Sequence, residues 1–283
     1  MSQRTRPRNS GGGCGPDELR FVTYLSPSIP AAFFEAVAFG TGRTMGCRTS
    51  LRLETEVSGP EAAFGDPFSS GEADVGFMCA PPFVRLRELD SPSVELLGAP
   101  VFRDVRASGS PVYFSEVVVR REDSARSFRD LGQRSWAYND ACSLSGYYSL
   151  LDKLAQIGAD SRSLDFQHSG SHLASIELLL GGEVDAAAID SNVLAIQLQL
   201  VPELRQRLRV IESWGPFPIQ PVVVRSSMDA AIKDRLRAGL TTSGLGRAGS
   251  ALCRFGLRHF VEVADEHYAS EKRALRGCRS TRA

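Results

Sequence analysis

A polar turn at residues 139–146 holds the side chains best suited to bind a ligand. It reads NDACSLSG, and an amphipathic helical pattern follows it. The first N–H groups of a helix have no backbone partner and carry a partial positive charge. With hydroxyls on Ser143 and Ser145, and no side chain on Gly146, this turn is able to surround an oxyanion with donors. An ordinary N-cap by one serine is the competing interpretation.

A second turn of the same kind lies at residues 168–172, which read HSGSH. Here His168 and His172 flank small residues at the start of another predicted helix, which Ser171 would cap. Histidine can donate a hydrogen bond to an anion and can carry charge near neutral pH. Two histidines are too few for a metal site, so neither a metal nor any other cofactor is predicted.

Cys142 raises the alternative of an enzyme, because a thiol at a helix N-terminus can have a lowered pKa and a histidine can activate it. No third group that would orient such a pair is evident in the sequence. A small packing residue is the favoured interpretation of Cys142, and no catalytic residue is predicted.

Four further side chains lie at or close to the ends of predicted strands. Asp190 and Asn192 follow the buried strand VDAAAID and are expected to face the cleft edge. Tyr24 and Phe83 either wall a cleft or belong to the core. Ligands of open α/β sheets lie beyond the carboxyl ends of strands, so the turns at 24–30, 79–83, 139–146 and 168–172 are the expected site.

The elements that must position these turns alternate between strands and helices of 10 to 14 residues. This alternation predicts an α/β fold with mostly parallel sheets that helices cover on both faces. Two apparent crossings, at 103–110 and 214–221, predict two lobes with a ligand cleft between them. We place residues 17–106 and 216–283 in lobe 1, residues 107–215 in lobe 2, and residues 1–16 in a disordered tail.

Composition excludes several classes of protein. The segments 1–16 and 272–283 are basic, while the rest of the chain holds all 33 acidic residues and 25 of the 33 basic ones, a net charge of −8. An acidic body argues against a nucleic-acid surface. No apolar stretch approaches the length of a membrane span, and the N-terminus lacks the apolar region of a secretory signal. A cytoplasmic location is therefore expected. Six scattered cysteines suggest neither zinc nor a disulfide framework.

Several segments together resemble a known family. They are DVGFMCAPPFV, NDACSLSGYYSLL, GSHLASIELLLGGEVDAAAIDSNVL and FGLRHFVEVADEHY. Over roughly residues 19 to 270 the chain is similar to the PhnD-like phosphonate and phosphate substrate-binding proteins of ABC transporters. The resemblance implies a type 2 periplasmic binding protein fold, whose two lobes close over a tetrahedral phosphorus oxyanion.

By that resemblance, the motif of Ser143, Leu144, Ser145 and Gly146 would hold the oxyanion, and His172 would be a further donor. Tyr24 is a looser match. The chain departs from the family pattern at Leu144, where threonine is usual.

Three more departures bear on the ligand that the resemblance implies. Phe83 stands where the family often has a tyrosine, which removes a donor. Asn192 and Gln220 occupy places where relatives that bind amino-alkyl phosphonates have acids to meet the ammonium group. The resemblance therefore implies phosphate, phosphite or a simple alkyl phosphonate as the ligand.

Two alternatives to this binding function stay open at the level of sequence. One is an enzyme on the same fold, either similar to the pyrimidine-precursor synthases of thiamine biosynthesis or using Cys142 and His172. The clustered cysteine motif of those synthases is absent. The other is a scaffold that has lost its ligand. We expect a monomer, and the sequence does not identify a transporter permease as a partner.

Overall fold

The computed structural model of the chain describes residues 16–60, 65–159, 164–241 and 247–272. The predicted disordered tail lies outside this range except for Pro16. Strands and helices alternate along the described residues, and their strands form two sheets. Among the helices of these ranges, none combines the length and the apolar content needed to cross a bilayer.

The strands and helices have the following bounds. The strands are β1 Glu18–Thr23, β2 Arg48–Leu53, β3 Val75–Phe77, β4 Val94–Phe102, β5 Val112–Arg120, β6 Trp136–Tyr138, β7 Phe166–His168, β8 Ala186–Asp190, β9 Leu208–Pro218, β10 Val222–Arg225 and β11 Leu257–Val261. The helices are α1 Ala31–Met45, α2 Ala80–Arg87, α3 Ser149–Gln156, α4 His172–Gly181, α5 Ser191–Leu200, α6 Leu204–Arg207, α7 Ala230–Thr241 and α8 Arg247–Leu252.

The first sheet has the strand order β11-β4-β10-β3-β1-β2. In it β1, β2, β3 and β4 run in one direction, and β10 and β11 run in the other. The second sheet has the order β7-β6-β8-β5-β9, and only β5 runs against the other strands. We call the elements around these sheets the first and the second lobe. The two sheets with mostly parallel strands confirm the predicted fold class.

Three details of the fold depend on contacts that the sequence pattern does not show. Residues 66–72 lie in a series of turns, in which the Asp66 side chain accepts a bond from the N–H of Phe68 at 2.9 Å. Strand β11 was not predicted, because its alternation is weak and its pairing with the edge of β4 defines it. Strand β9 continues to Pro218, beyond the predicted lobe boundary at 215, because its residues Phe217 and Pro218 still pair with β5.

Asp74 links neighbouring strands of the first sheet. Its buried carboxylate accepts bonds from Arg20 on β1 at 2.9 and 3.0 Å and from Arg225 on β10 at 3.0 and 3.2 Å. Strands β1 and β10 lie on either side of β3, so one carboxylate connects three neighbouring strands. Burial alone raises the pKa of Asp74, but the bonds from Arg20 and Arg225 outweigh it, and the net pKa is lowered.

Replacing Asp74 with alanine should lower the free energy of unfolding by about 3 kcal/mol, because two guanidinium groups lose their shared partner. A pKa that is lowered in the folded state stabilises the fold above the unfolded pKa of about 3.9 and loses that effect as pH falls through the folded value. The difference between wild type and Asp74→Ala should therefore shrink in acid. Urea unfolding at several pH values measures it.

The matched control is Asp234→Ala. Asp234 also pairs with an arginine, Arg237, but 76% of its side chain is exposed. Its loss should cost less than about 1 kcal/mol. Equal effects of the two substitutions would contradict a structural role for Asp74.

Candidate functional site

A small cavity lies between the two lobes, where strands of both sheets end. Its volume is about 30 Å³, so little space is left between the lobes. Each of the four turns that the sequence placed at the cleft contributes to its wall. The lining residues are Tyr24, Leu25, Ser26, Ser28, Ile29, Thr55, Val57, Ser58, Cys79, Asn139, Gly170, Ser171, His172, Asp190, Val193 and Gln220.

Hydrogen bonds between side chains and backbone N–H groups stabilise the turn at 139–146. The Asp140 carboxylate accepts a bond from the N–H of Cys142 at 2.6 Å. The Ser143 hydroxyl caps the next segment by accepting from the N–H of Gly146 at 3.1 Å. Residues Leu144–Tyr148 then form a π-helical turn before α3 begins. Widened turns of this kind are frequent at functional sites.

Gly146 permits a close approach between this turn and α4. A Cβ atom at this position would lie 1.8 Å from Oδ1 of Asn139 and 3.1 Å from Cε1 of His172. Real side chains do not tolerate the first distance, so any other residue would displace Asn139. The glycine thus brings the two helix starts that the sequence singled out into direct contact.

His172 is the first residue of α4, after Ser171 as N-cap. Its Nε2 lies 3.1 Å from the Ser145 hydroxyl, and its backbone N–H donates to Ser28 in the first lobe at 3.0 Å. Burial lowers the pKa of its ring to about 3. The ring is therefore neutral at physiological pH, and the charged histidine that the sequence allowed is not formed.

Asp190 ends β8 and caps α5. Its Oδ1 accepts bonds from the N–H groups of Asn192 at 2.7 Å and Val193 at 3.3 Å. Its Oδ2 accepts from Nε2 of Gln220 at 2.6 Å, in the segment that returns the chain to the first lobe. Burial raises the pKa of Asp190 to about 6, and these bonds lower it only in part.

The structure brings some of the predicted site residues together and leaves others apart. Tyr24, His172, Asp190 and Gln220 line the cavity, and Ser145 reaches it through the bond to His172. Burial raises the pKa of the Tyr24 hydroxyl to about 12, so that it stays protonated.

Two residues from the predicted set are core residues. Phe83 is buried in the first lobe, where its ring packs edge-on against Tyr268 with centroids 5.0 Å apart. Leu144 is buried in the hydrophobic core. Neither lines the cavity. Their side chains therefore contribute packing, and their assignment as ligand contacts stays a prediction.

Three buried polar atoms close to the turn and to Asp190 have no hydrogen-bond partner. They are Oδ1 of Asn139, Nδ1 of His172 and Nδ2 of Asn192. Asn139 and His172 line the cavity. Buried polar groups are almost always paired in native proteins, and leaving them unpaired is costly. These atoms therefore mark a place where a polar ligand gains hydrogen bonds that the protein itself does not supply.

The cavity wall carries a carboxylate and no cationic side chain among the described residues. Two arginines lie nearby. Arg52 is ion-paired with Glu54 at 3.0 Å and Glu72 at 3.3 Å. Arg85 donates to the Cys142 sulfur at 3.3 Å. An anion in the cavity would therefore be held by neutral donors.

Direct hydrogen bonds between the lobes hold the cleft closed. The N–H of Ser58 donates to Oδ2 of Asp140 at 2.7 Å, in addition to the bond between His172 and Ser28. Ser28 and Ser58 were not among the predicted site residues. Ser28 lies in a turn that was predicted to face the cleft, but Ser58 follows the end of β2 in a segment without a motif.

Cys142 and His172 do not form a catalytic pair. The Cys142 sulfur accepts from Arg85 of the first lobe, while His172 contacts Ser145. Among the described residues, no group of three or more potential ligand side chains could hold a metal ion.

The comparisons with known proteins agree with this architecture. A family model described as the periplasmic phosphonate substrate-binding protein of ABC transporters matches residues 41–268. The chain thus belongs to this family of phosphonate-binding transport components, within the class of type 2 periplasmic binding proteins. No curated protein matches the chain.

Three solved structures have the same fold. A binding protein component of a phosphonate ABC transporter from Pseudomonas aeruginosa has a TM-score of 0.77 and 17% identity, over 92% of this chain and 86% of that one. PhnD1 from Prochlorococcus marinus, in complex with methylphosphonate, has a TM-score of 0.78 and 15% identity, over 93% and 98%. The aliphatic sulphonate binding protein SsuA from Escherichia coli has a TM-score of 0.59 and 16% identity, over 94% and 88%.

The family corrects one expectation and confirms another. Its members are periplasmic, so the cytoplasmic location expected from the N-terminal sequence is wrong. They are substrate-binding components that work with a transporter rather than enzymes, which confirms the prediction that this chain is not an enzyme.

The close approach at Gly146 leads to a prediction about the turn. Gly146→Ala should lower the free energy of unfolding by about 1–3 kcal/mol, because the new methyl group overlaps Asn139. Gly249→Ala is the matched control, since a Cβ atom at that helical position meets nothing within 4 Å and alanine favours a helix. Thermal unfolding compares the two variants, and equal melting temperatures would contradict the tight contact.

Proposed function

We propose that the chain binds a small tetrahedral phosphorus oxyanion in the cavity between its lobes: phosphate, phosphite or a simple phosphonate. In this proposal the turn at 139–146 and the start of α4 supply neutral donors, with Ser143, Ser145, the backbone of the turn and His172 as the principal groups. Family membership supports a phosphonate ligand in general.

The observation that carries the proposal is the buried, unpartnered ring nitrogen Nδ1 of His172 in the cavity wall, beside two helix N-termini. A helix start presents unpaired N–H groups and a partial positive charge to an anion. The π-helical turn begins after Ser143, and α4 begins after Ser171, which lines the cavity. An oxyanion is the class of ligand that this arrangement suits best.

The size of the cavity supports a small ligand. Its volume of about 30 Å³ belongs to a cleft that cross-lobe hydrogen bonds hold closed. A small ligand would fit between the lobes with less separation than a ligand with a long substituent. PhnD1 of Prochlorococcus marinus, which has the same fold, is in complex with methylphosphonate.

We also propose that the two lobes close around the ligand. Lobe 1 at 17–106 and 216–283 and lobe 2 at 107–215 would move as two bodies about the segments that join the sheets. We propose that the protein does this as a monomer, since each lobe supplies part of the cavity wall within one chain.

Ser145→Ala should weaken the binding of methylphosphonate by about 1.5–3 kcal/mol, the contribution of a hydrogen bond to a charged group. The matched control is Ser135→Ala, whose hydroxyl bonds Asp185 at 3.0 Å before strand β6 begins, away from the cavity. Calorimetric titration of both variants measures the difference. Unchanged affinity in Ser145→Ala would remove this hydroxyl from the site.

Ligand choice is a second test. The protein should bind phosphate, phosphite or methylphosphonate at least about tenfold more tightly than 2-aminoethylphosphonate, a difference of ~1.4 kcal/mol. Asp190 is already engaged by the start of α5 and by Gln220, and no other carboxylate lines the described cavity to pair with the ammonium group. Competition titrations decide the order. Tightest binding of 2-aminoethylphosphonate would contradict it, and no binding of any of the four would favour a scaffold without a ligand.

A further inference from the structure

We propose that Asp140 is a positioning residue for ligand binding, because its carboxylate couples closure of the lobes to the turn at 139–146. The side chain does not line the cavity, so it would act on a ligand only through this turn and through the first lobe. This inference rests on the proposed function and goes beyond it, since it assigns the closed state to one carboxylate outside the cavity.

The two oxygens of the Asp140 carboxylate serve different lobes. Oδ1 accepts from the N–H of Cys142 at 2.6 Å, within the turn itself. Oδ2 accepts from the N–H of Ser58 at 2.7 Å, in the first lobe. Only the second bond crosses the cleft, so separation of the lobes would break it and leave the first in place. The carboxylate can therefore shape the turn in either state, but it can link the turn to the first lobe only when the cleft is closed.

Ser58 connects Asp140 to the start of a helix in the first lobe. The carbonyl of Ser58 accepts from the N–H of Cys79 at 2.9 Å, and Cys79 is the N-cap residue of α2. The partial positive charge of a helix N-terminus favours a nearby negative charge. Hydrogen bonds in such a chain also polarise and strengthen one another. Closure therefore gives the negative charge of Asp140 a favourable environment that the open cleft would not supply.

Burial and a second contact across the cleft support this role. Asp140 and Ser58 are 7% and 6% exposed, and hydrogen bonds to a charged group are stronger than neutral ones. Burial raises the pKa of the Cys79 thiol, and the negative charge of Asp140 raises it further, as expected if the carboxylate lies close to the start of α2. Arg85 of the same helix donates to the sulfur of Cys142 at 3.3 Å. The first lobe thus contacts the turn immediately before Ser143, which the proposed function assigns to the ligand.

The first experiment compares Asp140→Asn with Asp140→Ala. An asparagine amide has a single acceptor oxygen, so it can serve only one of the two N–H groups. If that oxygen stays on Cys142, the NH₂ group faces the N–H of Ser58 as the lobes close. Calorimetry should show that Asp140→Asn binds methylphosphonate at least about tenfold more weakly than wild type, close to the loss in Asp140→Ala. A residue that only shaped the turn would be rescued by asparagine.

The matched control is Asp123→Asn. Oδ1 of Asp123 also accepts from the N–H two positions along the chain, that of Ala125 at 2.8 Å, but its other oxygen pairs with Arg134 in the same lobe. This variant should lower the free energy of unfolding and leave the affinity for methylphosphonate unchanged. Asp140→Asn should show the reverse, with urea unfolding of the ligand-free protein little changed and the affinity reduced.

The second experiment needs no variant. Hydrogen exchange at the Ser58 amide of wild type, followed by NMR, should slow at least about tenfold when methylphosphonate saturates the protein, because closure engages this N–H with Asp140. Asp140→Asn should lose most of that slowing. Its radius of gyration in saturating methylphosphonate should also stay closer to that of the ligand-free protein.

The outcomes separate this role from the proposed function. Affinity equal to wild type in folded Asp140→Asn, or a Ser58 amide that exchanges equally fast with and without bound methylphosphonate, would overturn the role of Asp140 and leave the proposed function standing. If Asp140→Asn does not fold, the exchange of the Ser58 amide in wild type decides alone. Failure of wild type to bind methylphosphonate, phosphate or phosphite would overturn the proposed function and this role with it.

Discussion

The buried carboxylate of Asp190 is the constraint on which the cleft depends. It caps α5, it binds Gln220 in the segment that returns the chain to the first lobe, and it forms part of the cavity wall. A buried charge is tolerated only when donors surround it. The same carboxylate therefore fixes the start of α5, holds the segment that returns to the first lobe and gives the cavity its negative charge.

The second feature that shapes the cleft is the contact between two helix starts. Gly146 lets the turn at 139–146 touch α4, and Ser145 meets the His172 ring at 3.1 Å. Burial keeps that ring neutral, so the described cavity wall presents oriented dipoles and neutral hydrogen-bonding groups and no cation. This agrees with the net negative charge of the body of the chain, which leaves an anion site dependent on local geometry.

Much of the fold could be predicted because its signals are local. Helix α4 begins after Ser171, which accepts from the N–H of Ala174, as the sequence indicated. Strand β11 could not be predicted, since its pairing with β4 joins segments far apart in the chain. The π-helical turn before α3 could not be predicted from the sequence either, because the same residues fit the start of an ordinary helix.

For the site, the amino-acid sequence by itself determined which turns carry hydroxyl, imidazole and glycine groups, because capping depends on residues three or four positions apart. The tertiary structure decided what each group does. It placed Phe83 in the core against Tyr268, and it joined Asp190 to Gln220 across 30 positions. Such contacts depend on how the strands pair and on how the two lobes close, and neither is encoded in a local stretch of chain.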